Sequence, residues 1–139
     1  FCNLTKVVVR PMDTEASLHD KIEIATILGT IQATLTDFGY LRKRWQQNTE
    51  EERLLGVSLT GIMDNSIINR RRERLPEILQ SMRNKAVITN KEWAEKLGIP
   101  QSTAITCVKP SGTVSQLVDS ARRDETRPYH SIFFSYELF

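Results

Sequence analysis

The residues best suited to chemistry are a thiol near the start of the chain, Cys2, and a small polar turn late in it, Pro110-Ser111-Gly112-Thr113-Val114. The turn follows a β-branched apolar run, Ala104-Ile105-Thr106-Cys107-Val108, which stops at Lys109-Pro110. It opens into a helical pattern through Ser115, Gln116, Leu117 and Val118. A strand, a tight turn and a helix start together make an anion site. The first helical amides have no intrahelical acceptor, and the helix dipole adds partial positive charge there. Pro110 suits a turn or a first helical position, Gly112 admits a close backbone approach, and Ser111 and Thr113 add hydroxyl donors. An ordinary capped helix after a buried strand has the same spacing. The Gly-x4-Gly-Lys-Ser/Thr pattern of a P-loop is absent.

Taken alone, Cys2 reads as a small buried hydrophobe, as many free cysteines are. Cys107 lies in the middle of the predicted strand and reads as structural. His19 and His130 lack any partner pattern for metal ligation or general-base work. Trp45, Trp93 and the methionines read as packing residues.

The elements that must position these groups follow from periodicity. Lys6-Val7-Val8-Val9-Arg10 predicts a short strand stopped by Pro11. Asp13, Thr14 and Ser17 offer helix N-caps, with Ser17 and Asp20 in a capping-box-like arrangement. A helix is expected over 18–38, apolar on nearly every face around Ile22, Ile24, Ala25, Ile27, Leu28 and Ile31, and therefore deeply buried. Gly29 and Ala33 leave room for a close neighbour. A polar, exposed short helix is expected over 40–52. The run 54–60 predicts a second buried strand ending at Gly61, and 64–74 a connecting stretch with a basic run. Leu75, Ile78, Leu79, Met82, Ala86, Trp93 and Leu97 mark a long amphipathic helix closed by Gly98 and Pro100. The order strand–helix–strand–helix–strand–helix predicts an α/β fold with parallel pairing. Three strands alone would leave sheet edges and apolar helix surface uncovered, so missing partners are expected.

Composition narrows the class. With 139 residues the chain is one domain or part of one. Its formal charge of +2, from 19 basic and 17 acidic residues, gives no electrostatic case for nucleic-acid binding. No apolar run approaches a bilayer span and no signal-peptide pattern heads the sequence, so no membrane partner and a cytoplasmic location are expected. Two cysteines are too few for a secreted disulfide scaffold. The start at Phe1, with no initiator Met, leads us to expect a piece of a longer chain.

Four segments carry a resemblance. They are Phe1-Cys2-Asn3-Leu4-Thr5; Ile24-Ala25-Thr26-Ile27-Leu28-Gly29-Thr30-Ile31-Gln32; Glu52-Arg53-Leu54-Leu55-Gly56-Val57-Ser58-Leu59-Thr60-Gly61-Ile62-Met63-Asp64; and Thr106-Cys107-Val108-Lys109-Pro110-Ser111-Gly112-Thr113-Val114-Ser115-Gln116-Leu117. In order and spacing they resemble the catalytic subunit of ribonucleotide reductases, of the adenosylcobalamin-dependent (class II) ribonucleoside-triphosphate type. The resemblance implies that residues 1–120 are a C-terminal portion of a ten-stranded α/β barrel, incomplete in this chain. The tail 121–139 does not match the family. The family's finger-loop motif Asn-Pro-Cys-Gly-Glu, which carries the radical cysteine, does not occur in the sequence.

By the same resemblance, Cys2 corresponds to the second cysteine of the redox pair that reduces the ribose. A dithiol donor such as thioredoxin would then restore it. Pro110, Ser111, Gly112, Thr113 and Val114 correspond to the substrate-phosphate loop. The implied partners are a ribonucleotide, the donor and the rest of the reductase chain; the implied cofactor is adenosylcobalamin, with no contact assigned in these residues. The alternatives are a piece of a class I ribonucleoside-diphosphate reductase large subunit, or a non-catalytic remnant that only binds nucleotide phosphate.

Overall fold

The computed structural model of the chain describes residues 1–70, 73–109 and 112–120. Two strands pair in parallel: β1 (Asn3–Val8) and β2 (Leu55–Thr60), in a register that sets Leu4 opposite Gly56 and Lys6 opposite Ser58. Between them run helix α1 (Glu15–Gln32) and helix α2 (Lys43–Glu52). After β2 come a short 3-10 turn (Ile62–Asp64), helix α3 (Ser66–Arg70), the long helix α4 (Leu75–Leu97) and the short helix α5 (Gly112–Leu117).

The predicted third strand is reduced to one parallel bridge, between Val57 and Thr106. Its hydrogen bonds to β2 are real but few: the Leu55 and Val57 amides donate to the carbonyls of Ala104 and Ile105, and the Cys107 amide donates to Val57. Other groups claim the residues before it. Asn90 Oδ1 accepts from the Ser102 amide and the Glu52 carbonyl accepts from that of Thr103.

The core lies on one face of the sheet. Val7, Val9, Leu55 and Val57 meet Leu18, Ile22 and Ala25 of α1, with Ile78, Met82 and Ala86 of α4 behind. Gly29 lets α1 settle on the sheet, since a Cβ there would stand 3.2 Å from Leu55 Cδ2. The expectation of burial all round α1 is wrong. Ile24, Leu28 and Ile31 are 59%, 57% and 42% exposed, because the sheet and α4 cover only two sides of the helix. An apolar stripe is left facing outward.

Of the three expected N-caps Thr14 is the one used, and the capping box is Thr14 with Ser17 rather than Ser17 with Asp20. The Thr14 hydroxyl accepts from the Ser17 amide while the Ser17 hydroxyl accepts from the Thr14 amide. The helix stops at Gln32 rather than near Phe38, and Arg53, in left-handed conformation, donates to the Ala33 carbonyl at 2.6 Å. Helix α4 ends as expected on Gly98, at φ 67°.

Asp13 organises the turn after β1. Its side chain is 7% exposed and pairs with Lys21. Burial pushes its pKa up, but the bonds from Lys21, the Arg10 amide and the Ser17 hydroxyl outweigh this and hold it below the ordinary carboxylate range. A depressed folded pKa contributes stability that is full above the unfolded value and is lost as pH falls through the folded one. Stability measured by urea titration should therefore drop below about pH 4. In Asp13→Asn that acid limb should be shallower, and an unchanged limb would remove Asp13 from the account.

Candidate functional site

The face of the sheet opposite the core gathers the groups of interest. Side chains alternate along a strand, so Leu4 and Lys6 share that face with Gly56 and Ser58. Cys2 precedes β1 and is exposed, whereas Cys107 is half-buried; both are free thiols. They converge on Gly56 from the two sides of β2. A Cβ at Gly56 would lie 2.9 Å from Cys107 Sγ and 3.2 Å from Cys2 Sγ, and would run into Leu4 Cδ2. The absence of a side chain at Gly56 is what makes room for both sulfurs.

Two ammonium groups stand beside the thiols. Lys6 Nζ donates to the Lys109 carbonyl at 3.4 Å. Burial and then repulsion from the Lys109 ammonium lower the Lys6 pKa, opposed by Cys107. The Cys107 thiol is pushed up, first by burial and then by Cys2, while Lys6 and Lys109 act in the opposite direction. A pocket of about 160 Å³ opens next to them, lined by Leu4, Thr5, Lys6, Ser58, Lys109 and Val114.

Of the expected phosphate loop, Pro110 and Ser111 lie outside the described residues. Gly112, Thr113 and Val114 form the first turn of α5, and Val114 faces the pocket. The residues just after α5 are tied to Arg10, two residues beyond β1. The Arg10 guanidinium donates to the carbonyls of Val118 and Asp119 at 2.6 and 2.9 Å, and Asp119 itself takes a left-handed conformation, at φ 46°. Arg10 thus joins the chain just after α5 to the chain just after the strand that carries Lys6.

The sequence reading found Cys2 and the turn but missed Lys6, Lys109, Gly56 and the convergence of Cys107 on Cys2. The signal for Lys6 was its parity in an apolar strand, which puts it on the face of Leu4. His19 bonds to Ser81 Oγ at 3.2 Å on the helical side of the molecule, away from this face. Trp45 is about half exposed and meets Phe1 edge-on, in a small aromatic group with Phe38. The residues of the tail, including His130, lie outside the described residues. Among the described residues no group of three or more His, Cys, Asp or Glu side chains is placed to hold a metal ion, and no helix is long and apolar enough to cross a membrane.

No protein-family model matches the sequence, and no curated protein or solved structure matches it either.

Proposed function

We propose that the chain is part of the catalytic barrel of an adenosylcobalamin-dependent ribonucleoside-triphosphate reductase, acting in the cytoplasm to supply deoxyribonucleotides for DNA synthesis. The observation that carries the proposal is that Cys2 and the pocket lined by Lys109 and Val114 lie on one sheet face. Cys2 and these two residues come from opposite ends of the described chain, and a reductase needs them together. The 110–114 turn would hold the substrate phosphates through the amides of Gly112, Thr113 and Val114. Lys6 and Lys109 add charge there, and a bound polyanion would relieve the repulsion between them.

Cys2 would deliver reducing equivalents to the ribose as one half of a redox pair whose other cysteine lies in the rest of the reductase chain. A thioredoxin-like dithiol would then reduce the pair by exchange. Adenosylcobalamin would supply the radical in the intact enzyme; none of the residues on this face is assigned to hold it. The outward apolar stripe of Ile24, Leu28 and Ile31 fits a helix packed against further barrel elements.

The 139 residues contain no Asn-Pro-Cys-Gly-Glu, so by themselves they should form no deoxynucleotide even with adenosylcobalamin and a dithiol. Joined to the rest of the barrel, Cys2→Ser should abolish sustained turnover and leave cobalamin homolysis intact, as followed by stopped-flow absorbance. Sustained turnover by that variant would exclude the redox role, and deoxynucleotide from the 139 residues alone would exclude the division of labour proposed here.

A further inference from the structure

The structure points to a second thiol pairing, and we propose that Cys2 and Cys107 form a reversible intrachain dithiol–disulfide site built over Gly56. The inference stands on geometry alone and holds whatever larger activity the chain serves. Cys107 Sγ and Cys2 Sγ lie 2.9 and 3.2 Å from one point, the place a Gly56 Cβ would occupy, so the two sulfurs are at most about 6 Å apart, with Leu4 Cδ2 beside the same point. Cys2 lies just before Asn3, the first paired residue of β1, and Cys107 sits on a segment joined to β2 through a single bridge. With the Cys107 amide bonded to the Val57 carbonyl, the remaining gap to the S–S bonding distance is closed by Cys2, which lies outside the paired residues of β1.

The two thiols differ in access, which orders the chemistry. Cys2 is exposed and Cys107 half-buried. With a small disulfide of the oxidised-glutathione class as oxidant, the Cys2 thiolate attacks one sulfur of the reagent. One thiol leaves and a mixed disulfide remains on Cys2. The Cys107 thiolate then attacks Cys2 Sγ, forms the Cys2–Cys107 bond and expels the second small thiol. The two protein thiols lose two protons and two electrons, and the small disulfide gains them as two thiols. Lys6 and Lys109 favour the Cys107 thiolate against the burial that opposes it. A dithiol reductant reverses both steps.

The consequence is structural. Closure would tie the start of β1 to segment 104–108 across β2, beside the Lys6–Lys109 pocket. Oxidation of this pair would thereby change the pocket's rim.

The test is mass spectrometry of the whole chain after incubation with oxidised glutathione, run without reductant. The parent should lose two hydrogens, carry no adduct, and yield on proteolysis the Cys2 peptide linked to the Cys107 peptide. Cys107→Ser, checked for folding by circular dichroism, should instead retain one glutathione on Cys2, because the resolving thiol is gone. Gly56→Ala, which sets a methyl group between the sulfurs, should shift the parent's product from cross-link toward adduct; if it fails to fold, the Cys107→Ser comparison decides. A parent that keeps glutathione on Cys2 with Cys107 still open to alkylation, or that forms only links between chains, would overturn the proposal.

Discussion

Gly61→Ala should destabilise the protein by about 3 kcal/mol or more, a loss large enough to unfold a marginal domain. Two effects add at this position. Gly61 sits at φ 77°, where a side chain costs roughly 1 kcal/mol. A Cβ there would also run into the Val9 carbonyl oxygen and approach Ser120 Cβ to 3.1 Å. Val9 cannot yield easily, because its amide is bonded to the Thr60 carbonyl at 2.8 Å and its side chain is fully buried. Gly98 supplies the control. It has nearly the same conformation, at φ 67°, with open space around it. Gly98→Asn should be nearly neutral, since Asn tolerates this conformation, whereas Gly61→Asn should be about as damaging as Gly61→Ala. Urea unfolding followed by circular dichroism measures all of them; equal effects of Asn at the two glycines would show that backbone conformation, not space, governs position 61.

Asn90→Ala should cost about 2–4 kcal/mol, because one fully buried side chain joins three parts of the fold. Asn90 Nδ2 donates to Thr30 Oγ1 of α1 at 3.0 Å and to Ser102 Oγ at 3.1 Å, and Oδ1 accepts from the Ser102 amide at 3.0 Å. Removing it leaves a buried amide and two hydroxyls without those partners. Thr30→Val should be milder, since Asn90 keeps both of its bonds to Ser102. The double variant should lose less than the sum of the two. A loss under about 1 kcal/mol for Asn90→Ala would mean that water replaces all three bonds.

These two positions show what was legible in the sequence and what was not. Helix α4 was readable end to end, because its apolar period and its glycine stop are local signals. Strand β2 was readable for the same reason. The end of α1 was not, because the group that donates to the carbonyl of its C-cap, Ala33, is Arg53, twenty residues on. The stripe of Ile24, Leu28 and Ile31 read as core, since composition reports that a face is apolar and not whether anything covers it. The third strand, expected over 104–108, is reduced to the Val57–Thr106 bridge, because how far a segment pairs with β2 is set by the fold and has no local signature. At the site, each segment was visible singly. Their convergence depends on the register of β1 and β2 and on the bare Cα of Gly56, which only the folded chain supplies.

The central claim is that the pocket beside Lys6 and Lys109 takes a polyphosphate on the first turn of α5. The most direct measurement is an NMR titration of the isotopically labelled protein with a ribonucleoside triphosphate, with inorganic triphosphate and the bare nucleoside as comparisons. The account predicts saturable shifts in the amides of Gly112, Thr113 and Val114 with either triphosphate, none of similar size with the nucleoside, and weaker binding in Lys6→Met. If those three amides stay unmoved up to millimolar triphosphate while the protein remains folded, the turn is only a helix start and the claim fails.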